Sequence, residues 1–181
     1  MPTKEPDPTQ VPQPLSKHAL GNELIDDLYG LLEIERSVVK AYGDAIPLID
    51  TPELADKFRA LLHDHEQHMA SLTSIIVNGG GPDVSEENQQ DDIPINEHRV
   101  SIGDTLDTLR ALQPIQEAES LSCEFYDRIL SAEMPDEVRN LILDFRAHEQ
   151  AHWAFVESAL KSVTAAAGLW GPAKHPPILH H

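Results

Sequence analysis

Apolar residues recur at three- and four-residue steps through four stretches of this chain, the spacing that lays one stripe along a helix. From about Gly21 to Ile46 the stripe is Ile25, Leu28, Leu31, Val38, Tyr42 and Ile46. Pro47 closes that helix. Thr51-Pro52-Glu53 opens the next, a capping residue followed by a proline that the first turn tolerates. The stripe resumes at Leu54, Phe58, Leu61, Leu72 and Ile75 and stops near Asn78-Gly79-Gly80-Gly81-Pro82. A third helix is expected from about Ile102 to Ala132, with Leu106, Leu109, Leu112, Ile115, Tyr126 and Leu130 inward and a kink at Pro114. A fourth runs from Pro135-Asp136-Glu137 to about Thr164, with Val138, Ile142, Phe145, Val156 and Leu160 inward.

Between the second and third stripes, Asp83 to Ser101 is polar, acidic and interrupted by Pro94. A connection of that length has a purpose in a compact domain, here to carry the chain from the end of one helical hairpin to the start of the next. The expected fold is all-α, an antiparallel four-helix bundle over residues 19–165 with a long crossover between its second and third helices. Residues 1–18 hold five prolines among polar residues and read as a disordered tail. Residues 166–181 are broken by proline and glycine and read as an extended tail, whose terminal His180-His181 receive no function.

The chain also repeats itself. Glu35, Tyr42 and His68 recur 84 residues on as Glu119, Tyr126 and His152. That period is too long and its copies too few for a solenoid, so it describes two helical hairpins. Because the repeat preserves polar residues as well as core positions, it points to a paired metal site.

The polar residues that interrupt the stripes are the candidates for that site. Glu35 lies seven residues from both Leu28 and Tyr42, on the buried face, whereas Glu33 points elsewhere; the same phase selects Glu119 over Glu117. On the second helix the inward positions 54, 58, 61, 65, 68 and 72 take in His65 and His68, and on the fourth the positions 138, 142, 145, 149, 152 and 156 take in Glu149 and His152. Glu35 to His65 and Glu119 to Glu149 are both 30 residues, which sets all six at similar depth. Carboxylates converging in a core need a compensating charge, and two divalent cations supply it. Oxygen and imidazole donors without thiolate suit iron, manganese or zinc, and a bridging carboxylate suits a dinuclear centre.

Charge narrows the partners. With 31 acidic against 13 basic residues and a formal charge of −18, nucleic acid and anionic membrane are poor partners and cations are good ones. Cys123 is the single cysteine, so no intrachain disulfide or thiolate cluster can form. No apolar run reaches membrane-spanning length and no apolar leader core opens the chain, so a cytoplasmic protein is expected.

In these features the chain resembles the ferritin-like superfamily, bacterial ferritin-like and rubrerythrin-type di-metal bundles, over roughly residues 21–164. That family sets one Glu from each of two helices and Glu-x-x-His from each of the other two around a metal pair. The resemblance implies that Glu35 and Glu119 are terminal carboxylates, Glu149 a bridge, and His68 and His152 the nitrogen ligands. It implies that Tyr42 and Tyr126 lie beside the site, bonding a ligand or acting as redox-active side chains. The segment Asp64-His65-Glu66-Gln67-His68 with Gly79-Gly80-Gly81-Pro82 also resembles bacterial members linked to stress responses. The departure is His65, which stands where the second bridging Glu belongs. It leaves three carboxylates and three histidines, so two divalent ions would keep a residual +1. Asp64 and Glu66 lie about 100° around the helix from His65 and are assigned to a supporting shell.

His148-Glu149-Gln150-Ala151-His152 spells the helix of zinc proteases, in which two histidines hold the metal and the Glu is general base. That reading leaves the repeat unexplained, and the only carboxylate side chain downstream, Glu157, is too near to be a third ligand. His148 is therefore placed beside the site, and His18, His63, His98 and His175 on the surface. The functional expectation is oxidation of Fe(II) or reduction of peroxide or O₂ at two divalent transition-metal ions, a ferroxidase- or peroxidase-type oxidoreductase. The alternative is a stress-associated structural bundle that binds zinc or a single metal without turnover, and an oxygenase acting on an organic substrate is a third reading. With no helical stripe after the fourth, a homodimer is expected in place of a closed cage.

Overall fold

A computed structural model of the chain describes residues 20–83 and 105–168. Among the described residues, four helices make up the fold: α1 (Asn22–Ala45), α2 (Pro52–Asn78), α3 (Thr105–Ile129) and α4 (Asp136–Ala166). The protein is an all-α four-helix bundle. The expected N-terminal tail, residues 169–181 of the expected C-terminal tail, residues 84–101 of the long connection, the first turn of the third helix, and His18, His98 and His175 lie outside the described residues.

Local sequence explains the boundaries. A short 3-10 turn, Ile46–Leu48, follows α1 and contains Pro47, which has no N–H to continue the helical ladder. Thr51 occupies the N-cap of α2 with Pro52 just inside, but its hydroxyl makes no capping bond; its carbonyl accepts from Ala55 N–H at 2.9 Å. At the far end of α2, Gly80 has φ of 97°, a conformation that disfavours any side chain, and this lets Gly81 N–H return to the Ile76 carbonyl at 2.8 Å. Asp136 and Glu137 place negative charge at the positive end of α4. Pro114 sits inside α3, which continues past it.

Cross-helix contacts give the directions. Tyr42 reaches Glu119 while Tyr126 reaches Glu35, so α1 and α3 are antiparallel. Asp127 pairs with Arg146 across α3 and α4. Asp64 approaches His152 while His148 approaches His68, so α2 and α4 are antiparallel too. Glu35 meeting His65, with Tyr42 on Phe58, does the same for α1 and α2. It follows that α2 and α3 run in the same direction. The segment between Gly79 and Thr105 therefore joins opposite ends of the bundle, which is why it is long.

Most inward assignments hold: Leu28, Leu31, Val38, Phe58, Leu72, Leu112, Ile115, Ile142 and Val156 are fully buried. Leu106 does not follow, being 41% exposed, and Thr108 and Ala111 face the core there. The apolar interior forms two clusters, one around Leu28, Leu72, Ile129 and Ile142 and the other around Val38, Phe58, Leu112 and Val156. Each buried Leu or Phe contributes about 1.5–3 kcal/mol from removal of apolar surface. Between the clusters lies a polar layer.

Candidate metal centre

That layer is built by all four helices, and each supplies its polar groups from the buried stripe. Glu35, His65, Glu119 and Glu149 are fully buried, and His68 and His152 keep only 2% and 4% exposure. The structure brings together all six residues selected from the helical phase, while Glu33 and Glu117 point to solvent.

Two overlapping groups of donors result. Glu35, His65, His68 and Glu149 form one, and His65, Glu119, Glu149 and His152 form the other, with the donor atoms of each group within 4.8 Å of one another. In the first, His65 Nδ1 lies 2.8 Å from Glu35 Oε2 and 3.4 Å from Glu149 Oε1, and His68 Nδ1 lies 3.2 Å from Glu149 Oε1. In the second, His65 Nε2 lies 3.1 Å from Glu119 Oε1 and 3.2 Å from His152 Nδ1.

The tyrosines tie the two hairpins together. Tyr42 on α1 donates a short hydrogen bond to Glu119 on α3, and Tyr126 on α3 donates one of 2.5 Å to Glu35 on α1. Burial first, and then the neighbouring carboxylates, push both phenol pKa values well above the ordinary tyrosine value. Both therefore keep their protons and act as donors.

Outside the ligand ring is a second reciprocal pair. Asp64 on α2 lies 3.3 Å from His152 Nε2, and His148 on α4 lies 3.2 Å from His68 Nε2. Partners on Nε2 orient both rings so that each presents Nδ1 to the interior. Phe145 stacks on His68 with ring centroids 4.2 Å apart and restricts it further. Asp64 and His148 are themselves 84 residues apart. That offset is the sequence signal for the pair, which attention to the inward stripes alone passes over. Glu66, expected beside the site with Asp64, instead approaches exposed His63 at 3.5 Å and takes no part. His148 belongs to neither donor group, so the zinc-protease pairing of His148 with His152 is not what the helix presents.

The electrostatics are unbalanced. Burial alone would raise the Glu35 pKa, but hydrogen bonds and charge from His65 and His68 overcome it and hold the carboxyl near 2. Burial would lower His65, but its bonds to Glu119 and Glu35, with the charges of Glu149 and Glu35, carry it to about 10. His68 is also raised: burial opposes the proton, and the nearby carboxylates of Glu149 and Glu35 outweigh burial. His152 goes the other way, lowered by burial and by the charge of His65, which suits an Nδ1 lone pair facing inward. Glu149 is raised by burial, with the charges of Glu35 and Glu119 adding to it.

A cation fits this arrangement on the structure's own evidence. Both Glu149 oxygens, Glu119 Oε2 and His68 Nδ1 are buried without a hydrogen-bond partner among the described residues. Buried polar atoms are rarely left so, and a metal ion satisfies several at once without needing their protons. Oxygen and imidazole donors in each group suit a first-row transition ion.

Neither a protein-family model nor a curated protein matches the chain. Among solved structures, the chain is similar to a hypothetical protein, Pfu-1136390-001, from Pyrococcus furiosus. The two share 14% identity with a TM-score of 0.61, over 79% of this chain and 91% of that one. This likeness shows the fold alone. No helix among the described residues is long and apolar enough to cross a membrane.

Proposed function

We propose that this protein is a ferritin-like metal protein holding two transition-metal ions, iron above all, in the bundle core, and that it oxidises Fe(II) at the expense of peroxide or O₂. The observation that carries the reading is the pair of overlapping four-donor groups, fully walled by helices and containing unpartnered carboxylate oxygens. Glu35, His65, His68 and Glu149 would hold one ion, and His65, Glu119, Glu149 and His152 the other. The chemistry such a pair supplies is two electrons, which with two protons from solvent reduce one peroxide to two waters.

The chain's own groups set the conditions for it. Tyr42 and Tyr126 hold Glu119 and Glu35 in place through hydrogen bonds that need no proton transfer, and their position beside the carboxylates is the one from which a phenol side chain can supply an electron. Asp64 and His148 fix the histidine rings from outside. The helices exclude bulk water from the carboxylates, which strengthens their hold on a cation. The strong acidic balance draws cations from solution, and we place the protein in the cytoplasm, as a homodimer.

A second reading is favoured by one observation: His65, not a carboxylate, stands 84 residues before Glu149. A neutral ligand at that position supports a ferric ion less well than a carboxylate, which suits zinc or a single ion held for structure without turnover. Anaerobic titration of metal-free protein with Fe(II), followed by peroxide or air while Fe(III) absorbance is recorded, separates the two. Two ions per chain and oxidation well above the buffer rate support the oxidase. Binding without oxidation supports the structural site, and absence of binding ends both.

A further inference from the structure

We propose that His65 is a bridging ligand, its Nδ1 serving the ion held with Glu35, His68 and Glu149 and its Nε2 serving the ion held with Glu119, Glu149 and His152. Two cations would thus sit on opposite sides of one imidazole ring. The proposal rests on the two-ion reading and specifies how the two ions are joined.

Geometry separates His65 from the other two histidines. His68 and His152 turn Nε2 outward to His148 and Asp64 and have one nitrogen left for the interior. His65 is fully buried and turns both nitrogens inward, Nδ1 to Glu35 and Glu149, Nε2 to Glu119 and His152. Donor atoms that share an ion at bonds of about 2.0–2.2 Å are separated by roughly 2.8–3.6 Å, the edges of an octahedron or tetrahedron. The separations around Nδ1 are 2.8 and 3.4 Å and those around Nε2 are 3.1 and 3.2 Å, so both sides of the ring are spaced for an ion.

Charge leads to the same answer. Glu35, Glu119 and Glu149 bring three negative charges against the four positive charges of two divalent ions. An imidazole bound at both nitrogens has released both ring protons to solvent and carries one negative charge, which completes neutrality in a fully buried layer. His65 therefore contributes the charge that a glutamate at the repeat-equivalent position would have contributed, through a longer bridge. Glu149 belongs to both groups, and neither of its oxygens has a hydrogen-bond partner among the described residues.

The consequence is a distance. Ions on opposite nitrogens of one ring are about 6 Å apart, given metal–nitrogen bonds of about 2.0–2.1 Å, against roughly 3.5–4 Å for ordinary two-metal sites. The test is the crystal structure of the full chain loaded with Zn(II), with anomalous differences measured at the zinc edge. Two peaks about 6 Å apart, one on each side of the His65 ring, are expected. Two peaks roughly 3–4 Å apart, or His65 bound to one ion only, would overturn the bridge and leave the two-ion reading standing. No zinc in the core would overturn both.

A second measurement does not depend on crystals. In calorimetric titration of metal-free protein with Zn(II), His65→Gln should weaken both binding steps, each by about tenfold or more, because both ions lose a ligand. If one step keeps its parent affinity, His65 serves a single ion and the bridge is wrong.

Discussion

Tyr126 on α3 donates a 2.5 Å hydrogen bond to Glu35 on α1, and both side chains are completely buried. The bond crosses between the two hairpins and fixes a carboxylate whose other partners are His65 and His68. Tyr126→Phe keeps the ring and its packing and removes only this donor. It should lower the stability of the metal-free protein by about 1–3 kcal/mol, the cost of taking one bond from a buried acceptor, and weaken metal binding by about tenfold with stoichiometry unchanged. Thermal melts and Zn(II) titration report the two effects. If neither moves, the tyrosine is only filling volume.

The metal-free protein should become less stable as pH rises from about 7 to 10. His65 has its pKa raised from 6.5 to about 10, and His68 is raised as well. A histidine whose folded pKa exceeds its unfolded value contributes stability that is complete below about 6.5 and disappears as pH climbs through the folded pKa. Glu35 acts at the acid end: its pKa falls from 4.5 to about 2, so its contribution is present above 4.5 and lost as pH drops toward 2. Melting temperatures with chelator across this range test the basic limb. Protein loaded with Zn(II) should not share the alkaline decline, since the ion replaces the protons, and a flat curve for the metal-free form would mean that His65 is neutral there.

Glu149 should oppose stability and support metal binding. Its carboxyl is buried, both oxygens lack hydrogen-bond partners among the described residues, and its pKa is raised by burial and by neighbouring carboxylates. Glu149→Gln keeps the shape and removes the charge. The metal-free variant should be more stable than the parent by on the order of 1 kcal/mol, while losing at least one bound ion. Glu33→Ala and Glu117→Ala, on exposed faces, should leave metal content unchanged. Equal metal loss from all three, measured by elemental analysis after loading and desalting, would place the ions on the outer faces instead.

What could be read in advance depended on how many turns the stripe ran without a break. Glu35, His65, His68, Glu119, Glu149 and His152 all lie in the middle of long helices, flanked on both sides by apolar residues that fix the phase, and all six are buried. Leu106 failed for a definite reason. The run Leu106, Leu109, Leu112, Ile115 advances in steps of three, and at about 100° per residue nine residues end half a turn away, on the opposite face. Asp64 and His148 were placed near the site without their partners, because the bonds to His152 and His68 exist only once α2 and α4 face each other antiparallel. The long crossover expected between the second and third helices implies that arrangement, but not which side chains meet across it.

His65 decides between turnover and static binding, and replacing it by glutamate tests the choice. His65→Glu sets carboxylates at both repeat-equivalent positions, 65 and 149, and gives the donor set of the di-metal family, four carboxylates and two histidines. A carboxylate bridge is shorter than an imidazole bridge, so the ions should draw together to roughly 3.5–4 Å. At that spacing the two ions can act on one small oxygen species together, and carboxylate ligands favour the higher oxidation state over imidazole. The variant should therefore oxidise Fe(II) faster than the parent. The measurement is the rise of Fe(III) absorbance on exposure to air after anaerobic loading, at matched occupancy, with helical content checked by circular dichroism. A fast parent and a slower variant would show His65 to be a working ligand of a redox site of its own kind and exclude the structural reading. If neither protein oxidises iron above the buffer rate, the oxidase reading fails and a static site is what remains.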